Sequence, residues 1–182
     1  AGNFLVLLPL LAFLLAVFFR VKEQPPEAQL LVQDRGMSEG EREAFLSRFS
    51  ADNQETLIDF AVMGGIFGEG IDLVGERLIG AVVGGVGLPQ LGLERDLIKG
   101  YFDQHNRSGF AYAYQYPGFN RVLQATGRVI RTETDRGIIV LIDERFTHAR
   151  YRRLFPAHWR GYQVIQSEGE IEDQLARFWS RA

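Results

Sequence analysis

Residues 4–19 read FLVLLPLLAFLLAVFF, a run with no charged side chain and no side-chain amide. Pro9 divides this run, and a membrane-spanning helix needs about 20 consecutive apolar residues, so a membrane anchor or signal peptide is the less favoured interpretation. A strand covered on both faces of a sheet is apolar along its whole length. We therefore predict a buried strand over Phe4 to Leu8, followed by a helix that carries Pro9 in its first turn and continues to about Val21.

Similar apolar runs recur along the chain and alternate with helical patterns. The predicted strands are Gln29 to Val32, Leu57 to Val62, Leu78 to Val83, Gly137 to Ile142 and Tyr162 to Ile165. The predicted helices are Glu39 to Phe49 (with Ser38 and Glu41 spaced as a capping box), Leu93 to His105, Phe119 to Arg131 after a turn at 116–118, and Ile171 to Trp179. This alternation predicts an open, mostly parallel α/β sheet flanked by helices, with ligands bound beyond the carboxyl ends of the strands.

Length and composition bound the protein class. The 182 residues suffice for one domain, and we expect residues 1–182 to be a single domain cut from a longer polypeptide, because the sequence does not begin with Met. The absence of cysteine excludes disulfides, thiol catalysis, iron–sulfur clusters and thiolate zinc sites. The three histidines lack ligand spacing, so we predict no metal site.

The net charge of −3 conceals a basic block over residues 121–161. All nine basic residues of this block are arginine, against four acidic residues. They are Arg121, Arg128, Arg131, Arg136, Arg145, Arg150, Arg152, Arg153 and Arg160. Arginine forms bidentate contacts with phosphate, so the block indicates phosphate or nucleic-acid binding; a solvated helix face is the alternative.

One candidate segment is GGIFGEGIDL, residues 64–73, directly after a predicted strand. Its glycines allow backbone amides to approach a ligand, and Glu69 and Asp72 place two carboxylates at one strand end. A structural turn with two solvated acids is the alternative.

A second candidate segment is QATGRVIR, residues 124–131. In a helix, Gln124, Arg128 and Arg131 are spaced i, i+4 and i+7 and would project from one face as a phosphate clamp, while Gly127 leaves room for a close neighbour. The alternative is a surface face with salt bridges to Glu133 or Asp135.

The two segments resemble motifs V and VI of superfamily 2 helicases, in the XPD/DinG branch. Residues 65–72 match G-x-F-x-E-G-x-D, and residues 124–131 match Q-x-x-G-R-x-[IV]-R. Three flanking segments are similar as well. GNFLVLLP resembles motif IV, and LIGAVVGGVGLP resembles the strand that ends in Leu-Pro. GIIVLIDERF resembles the strand after motif VI, with Asp143 and Arg145 in place. The resemblance covers roughly residues 2–160.

The resemblance implies the second RecA-like domain of an ATP-dependent DNA helicase, a P-loop NTPase-type fold without its own P-loop. Arg128 and Arg131 would be arginine fingers, Gln124 would position them, and Gly127, Glu69, Gly70 and Asp72 would lie near the nucleotide. ATP and Mg²⁺ would be held mainly by the first RecA-like domain, because no GxxxxGK[ST] motif occurs in the sequence. We therefore expect the isolated chain to be inactive as an ATPase and to carry no iron–sulfur cluster.

The implied partners are single-stranded or forked DNA and the N-terminal RecA-like domain, in a cytoplasmic protein that binds no membrane. The candidate DNA contacts are Arg121, Arg150, Arg152, Arg153, Tyr114 and Tyr116, although aromatic residues at this spacing are more often packed. Motif IV departs from the family pattern, because Leu8-Pro9-Leu10 is apolar where the family has a small polar residue. A non-catalytic helicase-like module for DNA or protein interaction is the alternative function.

Overall fold

The protein forms one open sheet of five parallel strands. The computed structural model describes residues 2–34, 36–65, 73, 75–105, 107–130, 132 and 134–180. Its strands, in the order β2-β3-β1-β4-β5 across the sheet, are β1 (Asn3–Leu8), β2 (Gln29–Val32), β3 (Leu57–Val62), β4 (Gly80–Gly84) and β5 (Ile138–Ile142). The predicted parallel α/β sheet is confirmed.

Strand β1 lies at the centre of the sheet, and this position explains its sequence. Val6 is in register with Phe60 of β3 and Val82 of β4. Helix α1 (Leu11–Glu23) covers one face, where its Phe18 packs edge-on against Phe60 at 5.4 Å. The run of residues 4–19 is therefore a core strand and its following helix, although the helix begins after Pro9 rather than around it. Within the described residues, no helix is long and apolar enough to span a membrane.

Helices α2 (Glu39–Ser47) and α4 (Tyr116–Thr126) pack on the opposite face. The predicted capping box of α2 is present: the Ser38 backbone N–H donates to Glu41 Oε2 at 2.8 Å, and the Glu41 N–H donates to Ser38 Oγ at 3.4 Å. Phe119 of α4 is buried and stacks on Phe155 with a centroid distance of 5.8 Å. The larger hydrophobic core therefore lies between the sheet and these helices.

The segment before α4 differs from the prediction. Helix α3 (Leu93–Gln104) is followed by a π-helical turn (Ala111–Gln115) that runs directly into α4. The predicted turn at 116–118 is wrong, because Pro117 lies in the first turn of α4, where proline is tolerated. A β-carbon on Gly118 would stand 2.8 Å from the Val86 carbonyl oxygen, so this glycine serves close packing rather than chain reversal.

The end of the chain also departs from the prediction. Residues 162–165 form a loop rather than a last strand, and the Tyr162 hydroxyl accepts a hydrogen bond from Arg152 Nε at 2.6 Å. Tyr162 packs edge-on against Phe155 at 5.4 Å, so aromatic contacts rather than strand pairing fix this segment. Short helix α5 (Ala149–Arg152) and helix α6 (Glu168–Ser180) complete the fold.

A buried amide connects the segments at the amino edge of the sheet. Asn3 Nδ2 donates to the carbonyl oxygens of Ser50 and Arg77 at 2.8 and 3.0 Å. Its Oδ1 accepts a hydrogen bond from Asn53 Nδ2 at 2.9 Å. One side chain thus joins the start of β1 to the segments that precede β3 and β4.

Candidate functional site

The carboxyl edge of the sheet is rich in glycine. Gly64 follows β3, and Gly85 and Gly87 follow β4, with φ of +75°, +98° and +64°. Other side chains rarely adopt these left-handed conformations. The chain therefore turns sharply at this edge and leaves space for side chains that reach it from elsewhere.

Arg121 of α4 fills part of that space. A β-carbon on Gly64 would stand 3.3 Å from Arg121 Cδ and 3.4 Å from its Nε. Arg121 Nη1 also donates to the Gly87 carbonyl oxygen at 3.4 Å. The structure thus places this candidate DNA contact at the carboxyl edge, between the ends of β3 and β4.

Helix α4 runs antiparallel to the strands. Its first turn packs on the loop after β4, whereas Val129, just beyond its end, contacts Gly137, which precedes β5. Arg121 and Arg128 therefore belong to opposite ends of the same helical segment.

The predicted helix over Phe119 to Arg131 is wrong at its carboxyl end, because Gln124 lies in α4 and Arg128 lies beyond it. The helix ends at Thr126, whose Oγ1 bonds back to the Val122 carbonyl oxygen at 2.9 Å, and Gly127 is its C-cap. Gln124 is exposed, whereas Arg128 is only 8% exposed. The helical spacing is lost because the Thr-Gly pair ends the helix before Arg128.

Four candidate residues lie outside the described residues: Arg131, Glu69, Gly70 and Asp72. Their assignments remain predictions.

The two candidate aromatic DNA contacts have different surroundings. Tyr114 is only 4% exposed, and its hydroxyl donates to Asp96 Oδ1 at 3.3 Å. Tyr114 therefore belongs to the packed interior and presents no open ring face to a base. Tyr116 is 38% exposed and contacts the edge of Tyr112, which in turn stacks on Phe102 at 3.9 Å.

The arginines of α5 and its C-cap are exposed, and two of them are oriented by aromatic rings. Arg150 lies 5.6 Å from the Tyr151 ring centroid, and Arg152 lies 5.5 Å from that of Tyr162. The Arg150 carbonyl oxygen also accepts a hydrogen bond from Gln115 Nε2 at 2.8 Å, which ties α5 to the π-helical turn. Arg153 is exposed at the end of α5. These side chains form a basic surface on the face that carries α4.

The structure distinguishes two acidic residues to which the sequence motifs assign no site role. Asp143 follows β5 and forms a bidentate ion pair with Arg145, with N–O distances of 2.8 and 2.6 Å. This pair holds the pKa of Asp143 below its usual range, chiefly through the hydrogen bonds from Arg145. Asp59 of β3 is fully buried, and burial raises its pKa to about 8. A carboxylate inside the apolar strand LIDFAV is the sequence signal for Asp59.

Comparison with known sequences decides the family. The model of the family described as "Helicase C-terminal domain" matches residues 1–162. The chain belongs to this family.

The helicase C-terminal domain has relatives among archaeal, animal and bacterial proteins. It is 30% identical over 156 residues to a protein of Methanocaldococcus jannaschii named "Probable ATP-dependent helicase", a match that covers 78% of the chain and 21% of the relative. It is 32% identical over 147 residues to regulator of telomere elongation helicase 1 of Bos taurus, covering 75% of the chain and 12% of that protein. A 52-residue match at 40% identity to the 3'-5' exonuclease DinG of Staphylococcus aureus covers 29% of the chain and 6% of DinG.

A solved XPD helicase structure has a similar fold. It superposes with a TM-score of 0.65 over 84% of the chain and 26% of that structure, at 22% identity. The predicted RecA-like fold and the predicted membership of the XPD/DinG-type helicases are both confirmed. The helicase C-terminal domain spans about a fifth of its archaeal relative and about an eighth of its bovine relative.

Proposed function

We propose that this helicase C-terminal domain is the second motor domain of an ATP-dependent DNA helicase and a segment of a longer polypeptide. In this role it contributes motifs V and VI to ATP hydrolysis and part of the path for single-stranded DNA. The observation that carries the proposal is the course of α4. Arg121 lies at the carboxyl edge of the sheet, whereas Arg128 lies beyond the end of α4, next to Val129, which contacts the residue that precedes β5.

The residues near Arg128 fit a role in hydrolysis that depends on a second domain. The sequence has no P-loop, so the first RecA-like domain would hold ATP and Mg²⁺. Guanidinium groups stabilise the charge of a phosphoryl group during its transfer, and we assign this role to Arg128 and Arg131, with Gln124 positioning them. Since Arg128 is nearly buried, we expect docking of the first domain to uncover it, which would link hydrolysis to domain closure.

The DNA side of the proposal rests on the basic and aromatic side chains of the same face. Arg121 at the carboxyl edge and the exposed arginines of α5 would contact backbone phosphates. Tyr116 would stack on a base. Motif V, with Glu69, Gly70 and Asp72, would transmit the state of the nucleotide to the DNA strand.

The test is Arg128→Ala in a polypeptide that contains both motor domains. We expect the rate of DNA-stimulated ATP hydrolysis to fall by about 10³-fold or more, while the affinity for a nucleotide analogue changes little. Arg20→Ala is the matched control, because Arg20 is an exposed arginine near the end of α1. Hydrolysis at the wild-type rate in the Arg128 variant would refute the finger assignment and favour a non-catalytic module. Robust hydrolysis by the isolated 182-residue chain would refute the dependence on a first domain.

A further inference from the structure

Helix α3 carries a row of apolar side chains that face solvent. Leu93, Leu97 and Tyr101 follow one another at intervals of four residues, so they lie on one helix face, which we call the α3 stripe. Their exposed fractions are 76%, 65% and 57%, and Leu91, just before the helix, is 81% exposed. Scattered apolar side chains are normal on a protein surface, whereas a contiguous exposed patch marks an interaction surface.

The other side of α3 is fixed to the rest of the domain. Asp103 Oδ1 accepts a hydrogen bond from the Gly109 backbone N–H at 2.7 Å. The Phe102 ring stacks on the Tyr112 ring of the π-helical turn with a centroid distance of 3.9 Å. The helix is therefore held from one side, and the α3 stripe lies on the side that the domain leaves open.

Gly100 lies beside the α3 stripe, in the interior of the helix and three residues after Leu97. Among helix-interior residues, only proline is less favourable than glycine. A β-carbon on Gly100 would meet nothing within 4 Å, so no contact within the described part of the chain requires glycine here. Gly118 of α4 differs, because the Val86 carbonyl oxygen stands 2.8 Å from its β-carbon position. A neighbour outside the chain accounts for Gly100, because glycine lets another backbone approach closely.

The charged residues that border the α3 stripe are acidic. Glu94 and Asp96 each lie three residues from a leucine of the stripe, so both carboxylates stand beside it. Arg95 and Lys99 each lie two residues from Leu97, which places them on the other side of the helix. Acidic borders repel a nucleic-acid phosphate and attract a basic protein segment.

We propose that the α3 stripe docks an amphipathic helix of a partner protein, one whose apolar residues are flanked by lysine or arginine. The leucines and Tyr101 supply the apolar contact, Gly100 allows the two helix backbones to approach, and the bordering carboxylates pair with the basic flanks. A second copy of the chain is the poorer occupant, because its own α3 would bring a second acidic border to the contact. This surface goes beyond the proposed motor function, and each can fail without the other.

The first experiment tests the charge of the occupant. It uses the 182-residue chain and a fluorescein-labelled leucine–lysine peptide of about 18 residues, long enough to form a helix, with binding measured by anisotropy. A peptide with glutamate in place of each lysine is the control. We expect the chain to bind the glutamate peptide about tenfold more weakly than the lysine peptide, or less. Equal binding of the two peptides would overturn the proposal.

Variants of the chain locate the contact. Leu97→Gln should lower the affinity for the lysine peptide by about tenfold or more, as expected for a central interface residue. Leu10→Gln is the matched control, because Leu10 is also 65% exposed but precedes α1. Glu94→Gln should weaken binding severalfold, whereas Glu39→Gln, which removes an acid from the first turn of α2, should not. Equal affinities of Leu97→Gln and Leu10→Gln would overturn the proposal.

Gly100→Ala separates docking from folding. Alanine at an open helix position should raise the Tm by about 2–4 °C, while its methyl group should lower the affinity for the lysine peptide severalfold. Gly40→Ala in α2 is the control, because a β-carbon there also meets nothing within 4 Å, and it should leave the affinity unchanged. Unchanged peptide affinity in Gly100→Ala would overturn the close approach of two helices.

Light scattering during size-exclusion chromatography tests the second copy as occupant. We expect the wild-type chain to be a monomer. A wild-type dimer that Leu97→Gln dissociates would assign the α3 stripe to a second copy and overturn the proposal.

Discussion

Arg121 lies directly over Gly64, with its Cδ 3.3 Å from where a β-carbon on that glycine would stand. Gly64→Ala should therefore displace the arginine as well as strain the backbone at φ of +75°. We expect a loss of about 1–2 kcal/mol in the free energy of unfolding from the left-handed conformation. We also expect a severalfold loss of affinity for single-stranded DNA, measured by anisotropy.

Gly36→Ala provides the control for this prediction. Gly36 has φ of +78°, but a β-carbon there would meet nothing within 4 Å. The Gly36→Ala variant should lose a similar amount of stability to the Gly64→Ala variant and keep its affinity for single-stranded DNA. Equal DNA affinity in both variants would show that the position of Arg121 does not matter for binding.

The burial of Tyr114 and the exposure of Tyr116 predict different effects on DNA binding. Tyr116→Ala should weaken binding to oligo(dT) by about 1 kcal/mol or more, the usual contribution of one stacked base. Tyr114→Phe removes only a hydrogen bond to Asp96 and should leave DNA affinity unchanged while slightly lowering the melting temperature. If Tyr116→Ala binds like the wild type, Tyr116 is a packing residue like its neighbour.

Asp59 predicts an unusual dependence of stability on pH. Its pKa is raised from 3.8 to about 8 by burial, so the folded state holds a proton that the unfolded chain releases at much lower pH. Stability from this group is therefore fully present below pH 4 and is lost as the pH rises towards 8. The loss approaches ~1.4 kcal/mol per pH unit within this window.

Urea denaturation between pH 5 and 9 measures this dependence. Asp59→Asn, which cannot ionise, should flatten the decline, whereas exposed Asp52→Asn should retain it. The prediction fails if the wild type and Asp59→Asn lose stability in parallel across this range.

The sequence predicts the sheet well because its strands are short apolar runs with clear ends. The predicted bounds of Gln29 to Val32 and Leu57 to Val62 match β2 and β3. The prediction of a turn fails at residues 116–118, because proline and glycine are typical of turns. The glycine is instead required by the close approach of α4 to the Val86 carbonyl oxygen. That contact depends on residues about 30 positions away, and local patterns do not contain it.

The candidate site was predictable in its residue types but not in its geometry. The arginine block singled out Arg121, yet the glycines that hold it lie in two other loops, after β3 and β4. The spacing of Gln124 and Arg128 suggested a shared helix face, and an early helix end separates them. Helix ends depend on caps and tertiary packing, which periodicity alone does not capture.

The buried amide of Asn3 separates the stability of the amino edge from the loops of the carboxyl edge. Its three hydrogen bonds join the segments of the amino edge, far from the glycines and arginines of the opposite edge. Substitutions in the loops of the carboxyl edge leave these three bonds untouched, so the stability lost through such a substitution comes from the loop itself and not from the amino edge.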